Sequence, residues 1–305
     1  MPLSPDLFKR LSALNRERLS QNLTTADAFR PDAGPVPGPD LADDGYPTVI
    51  EDLLPGRECE AAGGRYYLIT RRPDAFLPTG QGADPSNLLA RYHHVVGGAG
   101  RTVGPDGLHE SLHPLVRTDP AHLAYLDIES CGLAGEPVFL VGLLVWTERG
   151  LVVRQFLARD YAEERPLLDG VWRAVAETQC LVTYNGKTFD MPTLGARRLA
   201  CGLFDRPPMP AHVDLLAEAR RRWKGALPNC RLQTVEQVIV ARRRQGDIPG
   251  AEIPAAYHAF VRARQSGDPA GRRRGLRRMQ AILHHNALDL LTLAEMVVHI
   301  LSGGA

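Results

Sequence analysis

Asp127 and Glu129 close the stretch LAYLDIES, Leu123 to Ser130, two residues apart at the end of a run that otherwise has the apolar texture of a buried strand. Strand side chains alternate faces, so the two carboxylates project to the same side. Like charges held together repel, and a buried, unpaired carboxylate either takes up a proton or needs a cation beside it. Two readings follow: a strand end whose acids reach water, or an oxygen-lined cation site.

Two further acidic stretches bear on that choice. In YNGKTFDMP, Tyr184 to Pro192, Asn185-Gly186 is a turn signal, and Asp190 ahead of Met191-Pro192 reads as a helix N-cap with proline in the first turn. Asp190 is then either a plain cap or a group at the strand-end edge where α/β sheets bind ligands. In HHNALDLL, His284 to Leu291, the flanking residues are apolar on nearly every side, as in a buried helix. His285 and Asp289 are four apart and share a face, so they could satisfy one another or serve a common site.

The elements that would carry these groups can be read from periodicity. LAYLDIE, VFLVGLLVW (138–146) and LVVRQFLA (151–158) are apolar, β-branched runs separated by turns, the pattern of an antiparallel meander. Glu163 to Thr178 has helical spacing, with Leu167, Val171, Trp172 and Val175 on one side. CLVTY (180–184) is the short continuous run expected of a buried parallel strand, and from Met191 onward the chain is mostly helical.

Residues 1–120 read as a loop-rich extension. MPLSPDLFKRLSALNRERL suggests a short amphipathic helix without the apolar core of a signal peptide, and residues 30–48 suggest a Pro-, Gly- and Asp-rich linker. GGRYYLIT suggests a small β unit turning at Gly63-Gly64. Residues 71–120 read as loop, and VGGAGR (96–101) lacks the GK[ST] and GxGxxG of a phosphate loop.

Composition narrows the class. With 305 residues and 44% hydrophobic content the chain can form one large α/β domain plus an extension. It has no uncharged apolar run of about 18 residues, so a soluble, cytoplasmic protein with no membrane partner is expected. The five cysteines are scattered without a CxxC pair, which excludes a disulfide framework or zinc knuckle. The formal charge is only +1, yet Arg197 to Arg278 holds eighteen Lys and Arg against seven Asp and Glu.

The order Asp-x-Glu, Asn-Gly-x-x-Phe-Asp, His-Asn-x-x-Asp resembles the DEDD 3′→5′ exonuclease superfamily, and within it the YprB-type ribonuclease H-like domain. DIESCGL, NGKTFDMPTL, HVDLL, RRWKGALPNCRLQTVEQ, DIPGAEIPAAYHAF and HHNALDLLTL resemble that family's blocks in its order. The resemblance covers about Leu123 to Leu301. It implies an α/β ribonuclease H-like fold at 121–305, with a mixed central sheet of three antiparallel strands and then parallel strands, flanked by helices.

The resemblance also implies that Asp127, Glu129, Asp190 and Asp289 are catalytic and hold two Mg²⁺ or Mn²⁺ ions, as hard oxygen ligands would. Two such ions about 3.5–4 Å apart serve phosphodiester hydrolysis, one activating water and the other stabilising the leaving oxygen. His285 is the implied general base, with His284 as the rival spacing. The expected partner is nucleic acid, as single-stranded DNA or RNA ends. Tyr184, Asn185, Arg220, Arg221, Arg222, Trp223 and Lys224 are expected to contact it, with the runs 242–244 and 272–278 neutralising further phosphates. The alternatives are a catalytically silent nucleic-acid-binding module and a structure-specific endonuclease.

Overall fold

Seven strands form one sheet: β1 (Arg57–Ala61), β2 (Gly64–Arg71), β3 (Leu123–Ser130), β4 (Val138–Thr147), β5 (Gly150–Leu157), β6 (Cys180–Thr183) and β7 (Ala211–Asp214), in the order β1-β2-β5-β4-β3-β6-β7. The computed structural model describes residues 45–77, 85–132, 135–205 and 208–303. The expected N-terminal helix and nearly all of the 30–48 linker lie outside these residues. The expected meander forms: β3 pairs antiparallel with β4, and β4 with β5. β6 then runs parallel to β3 on its other side, and β7 parallel to β6.

Six helices matter here: α1 (Pro85–Val96), α2 (Glu164–Ala176), α3 (Asp190–Ala200), α4 (Leu215–Trp223), α5 (Ile253–Gln265) and α6 (Pro269–Leu301). The β unit expected near residues 58–70 forms as β1 and β2, turning through Ala62 and Gly63 at φ 43° and 75°. It does not stand apart. Tyr66 to Ile69 are buried, and β2 gains its second neighbour by pairing with β5, so residue 120 is not a boundary between separate units. The 71–120 stretch, expected as loop, contains α1, whose Leu88, Tyr92, Val95 and Val96 are buried. VGGAGR remains the turn that follows it.

The period-2 pattern of β3 divides the core. Ala124, Leu126 and Ile128 join one apolar cluster with α2 and α5, whereas Leu123 and Tyr125 join another with α1 and α4. α6 serves both. Leu276, Met279, Ile282 and Leu283 lie in the first cluster, and Ala287 to Leu301 supply much of the second. This helix is long and apolar enough to cross a membrane by length and composition alone, but most of it is buried against the sheet.

The changeover between clusters falls where α6 meets β4 at Gly142. Asp127, Gly142 and Gln155 stand side by side across β3, β4 and β5. A Cβ on Gly142 would come within 2.2 Å of Asn286 Oδ1 and 2.7 Å of Leu290 Cδ1. The missing side chain is therefore the space that Asn286 occupies. Gly142→Ala should cost about 1–3 kcal/mol through overpacking, read from denaturant unfolding. A loss within about 0.5 kcal/mol, the range of neutral surface changes, would show that the helix contact is not tight.

Candidate active site

Asp127 and Glu129 lie at the end of β3 with their side chains on the same side, as the alternation requires. β3 is central and apolar on both faces, so the acids emerge where its cover ends. Asp190 arrives from the β6–α3 loop. It is the first residue of α3, one position later than the expected N-cap, because the turn already tightens before it: Thr188 and Phe189 N–H both donate to Asn185 O. Asp289 and His285 arrive from α6, one turn apart.

Hydrogen bonds tie these elements together. Asn286 Nδ2 donates to Asp127 Oδ2 at 2.8 Å and to the Asp127 carbonyl at 3.1 Å, while Gln155 Nε2 donates to Asn286 Oδ1 at 3.1 Å and to Leu283 O at 2.7 Å. Asp214, at the end of β7, caps α4 by accepting from Leu216 N–H. The same carboxylate accepts from Asn185 and Lys187 N–H at 2.8 and 3.1 Å, fixing the loop that delivers Asp190. None of Asn286, Gln155 and Asp214 was singled out from the sequence. Asn286 and Asp214 lay within the HHNALD and HVDLL blocks, where their neighbours drew the attention.

Burial pushes Asp127 well above the usual carboxylate range; the charges of Asp289, Glu129 and Asp190 add to the shift and Asn286 opposes it. Glu129 is raised to about 8, first by burial, with His285 opposing and Asp289 and Asp190 reinforcing. Asp190 is raised to about 7 by burial, against the N–H groups of Asp190 itself and Ile128, with Asp214 and Asp289 adding repulsion. Three acids thus resist ionising together, the expected state of a carboxylate group that needs positive charge between its members.

Part of that charge comes from the protein. Arg244 Nη2 donates to Asp289 Oδ1, Nη1 lies 3.2 Å from Asp247 Oδ2, and Nε lies 2.5 Å from Glu236 Oε2. Among the described residues no group of three or more His, Cys, Asp and Glu side chains forms a ready metal-holding set. Asp127 and Asp289 are instead engaged by Asn286 and Arg244. The donor chemistry still fits a hard divalent ion: oxygen donors alone, from four carboxylates on three elements.

The two histidines separate. His285 is buried, with Nδ1 2.7 Å from Asp247 Oδ1 and Nε2 3.4 Å from Asp289 Oδ2. Burial opposes its charge, but Asp247, Asp289 and Glu129 raise it to about 9. His284 points elsewhere, its ring 6.3 Å from that of Phe76, and burial lowers its pKa. Of the pair, His285 is the one beside the acids. Asp247, in the sequence QGDIPG, is the partner that sequence reasoning missed.

The basic runs need correction. Trp223, expected as a stacking ring, is 1% exposed and packs into the core below α4. Arg221 and Arg222 both pair with the buried Glu218, at i+3 and i+4. Arg242 and Arg244 are spent internally: Arg242 pairs with Glu236 and Glu295 at 2.6 Å each. Tyr184, Asn185, Arg220 and Lys224 do come together, around one open cavity at the ends of β6 and α4.

A mixed sheet with this strand order, acids at the end of its first meander strand and a further acid on the late helix define a ribonuclease H-like protein. The model of the RNase H superfamily matches residues 124–301, and the chain belongs to that superfamily. Within that superfamily the chain is similar to the uncharacterized protein YprB of Bacillus subtilis (strain 168), at 34% identity over 185 residues that cover 59% of this chain. The chain spans 42% of that relative's length. Among solved structures, the family B DNA polymerase of Pyrobaculum calidifontis is similar over 60% of this chain and 26% of the polymerase, at 19% identity and a TM-score of 0.44, too low to add to the assignment.

The raised acids give a sign for the pH dependence. An acid whose folded pKa exceeds its unfolded value contributes stability below about pH 4, and this is lost as pH rises through the folded pKa, here about 7 for Asp190 and about 8 for Glu129. His285, raised to about 9, shifts stability in the same direction at a higher window. Asp247 is lowered and acts only at the acid end. In a chelator the melting temperature should therefore fall between about pH 5 and pH 8, and Mn²⁺ should raise it more at pH 8 than at pH 5. A flat profile with no such difference would contradict the electrostatics of the cluster.

Proposed function

We propose that the protein is a divalent-metal-dependent nuclease that hydrolyses phosphodiester bonds, acting as a 3′→5′ exonuclease on single-stranded DNA or RNA ends. One observation carries the reading: Asp127, Glu129, Asp190 and Asp289, from β3, α3 and α6, come together at one end of the sheet, close enough that the charge of Asp289 adds to the raised pKa of each of the other three. These four would hold Mg²⁺ or Mn²⁺. When bound, such ions supply Lewis-acid charge to the phosphodiester and make water a stronger nucleophile.

The chain's own groups have separable tasks. Asn286 fixes Asp127 by hydrogen bonds to its carboxylate and carbonyl, so this acid cannot swing toward solvent. Asp247 fixes the His285 ring through Nδ1, leaving Nε2 on the Asp289 side. A general base must be neutral at the working pH, whereas the surrounding carboxylates favour the imidazolium. Positive charge held by those same carboxylates lowers that preference, which is how His285 would become a proton acceptor.

A second reading has its own support. Arg244 supplies a guanidinium to Asp289, Asp247 and Glu236, an internal cation of the kind a catalytically silent nucleic-acid-binding module would use in place of an ion. The readings part on activity. With Mn²⁺ or Mg²⁺, the protein should degrade end-labelled single-stranded DNA or RNA from the 3′ end, and Asp127→Ala or Asp289→Ala should lower the rate by about a thousandfold or more. His285→Ala should cost about a hundredfold, and His284→Ala far less. No cleavage by the native protein would leave the silent module as the better account, and more than about a tenth of the rate in both acid variants would remove these acids from the reaction.

A further inference from the structure

A cavity of about 650 Å³ opens at the ends of β6 and α4, bounded by Tyr184, Leu216 and Leu227 and ringed by Arg220, Lys224 and Arg231. None of its lining residues is acidic. Its cations differ from four other arginines in the basic half of the chain. Arg221, Arg222, Arg242 and Arg244 are neutralised by Glu218, Glu236, Asp247, Asp289 or Glu295. Among the described residues, no ion pair joins Arg220, Lys224 or Arg231 to a carboxylate; the charge acting on Tyr184 from this side is that of Arg220.

The walls are held in place. Tyr184 OH donates to Cys230 O at 2.6 Å, closing the space between β6 and the 228–232 segment. Asn185 has left-handed backbone at φ 64°, and its N–H is tied to Asp214, so its exposed side chain stands at a fixed turn on the rim. The cavity also lies beside the acids. β6 is the parallel neighbour of β3, with Tyr125 opposite Val182, and Tyr184 and Asn185 open the loop after β6 that delivers Asp190.

We propose that this cavity is a binding site for a nucleotide of a single-stranded polynucleotide whose chain continues to the acid cluster. The base rests on the apolar wall of Tyr184, Leu216 and Leu227, and Arg220, Lys224 and Arg231 hold the flanking phosphates. The combination decides the ligand class. The space exceeds what a phosphate alone fills, the apolar wall suits a base, and unpaired cations suit a polyanion. The proposal deepens the nuclease reading and rests on it for the continuation to the acids, while binding can be measured without cleavage.

The test is fluorescence anisotropy with labelled oligo-dT and oligo-U of about twelve nucleotides, within the site sizes of single-strand binders, in chelator so that no cutting intrudes. Lys224→Glu with Arg231→Glu should weaken binding by about tenfold or more and flatten the log–log salt slope by about 1.4, two phosphate contacts at about 0.7 each. Lys224→Arg with Arg231→Lys should restore it. Arg57→Glu with Arg149→Glu changes the net charge equally, with Arg57 on β1 at the opposite edge of the sheet and Arg149 in the β4–β5 turn, and should leave affinity within about twofold. Unchanged affinity in the first pair, or equal loss in both charge-reversed pairs, overturns the site. Loss with oligo-U alone or oligo-dT alone supports it and names the polymer. Binding without cleavage elsewhere would remove the nuclease reading and keep the cavity; cleavage with unaltered binding in the first pair would do the reverse.

Discussion

The carboxamide of Asn286 fills the gap over Gly142 and uses both of its hydrogens on Asp127 while accepting one from Gln155. Hydrogen bonds to charged groups are worth about 1.5–3 kcal/mol each when buried partners depend on them. Here they also set geometry. A helix locked to β3 at Asn286 has no freedom to slide or rotate, so Asp289, three residues on, must face the end of the same strand. The placement of His285 follows from the same lock, as does the position at which α6 changes from one apolar cluster to the other.

Electrostatic compensation is the second constraint. Asp127, Glu129 and Asp190 are each raised by burial and by neighbouring acids, and the fold answers with Arg244 at Asp289 and with His285 between Asp247 and Asp289. Arg242 extends this, pairing with Glu236 in its own segment and joining the turn after Val240 to α6 through Glu295 and Thr292. Part of the positive charge in the second half of the chain is thus internal. At the cavity beside β6, by contrast, Arg220, Lys224 and Arg231 line one open space with no acidic lining residue.

Strands β3 to β6 and the four acids were legible because a strand buried on both faces is a continuous apolar run, α2 has a period near 3.6 and the later part of α6 is apolar on nearly every side; β7, four residues long, was hidden in a stretch read as mostly helical. The opening acids could be assigned to one face from spacing alone. The fate of the arginines could not be read from runs. Arg221 and Arg222 stand at i+3 and i+4 from Glu218, a spacing that does announce pairing, but Arg242 depends on Glu295, 53 residues away, which only tertiary structure brings near. Trp223 was misplaced for a related reason: its basic neighbours suggested a surface, whereas its own helical face is apolar. The α1 segment was hidden by the Gly-, Pro- and His-rich sequence around it, although Leu88, Tyr92, Val95 and Val96 carry a helical spacing. β1 and β2 were found as a unit, but no local pattern shows that β2 pairs with β5.

The claim on which the account depends is that Asp127, Glu129, Asp190 and Asp289 are ligands of divalent ions. It is tested most directly by crystals of the protein grown with Mn²⁺ and recorded at the manganese absorption edge. The account predicts anomalous density bounded by these four carboxylates, with Asp289 turned from Arg244 toward the ion and Asp127 still held by Asn286. Manganese bound elsewhere, or four carboxylates without anomalous density at saturating Mn²⁺ and with Arg244 still on Asp289, would contradict it.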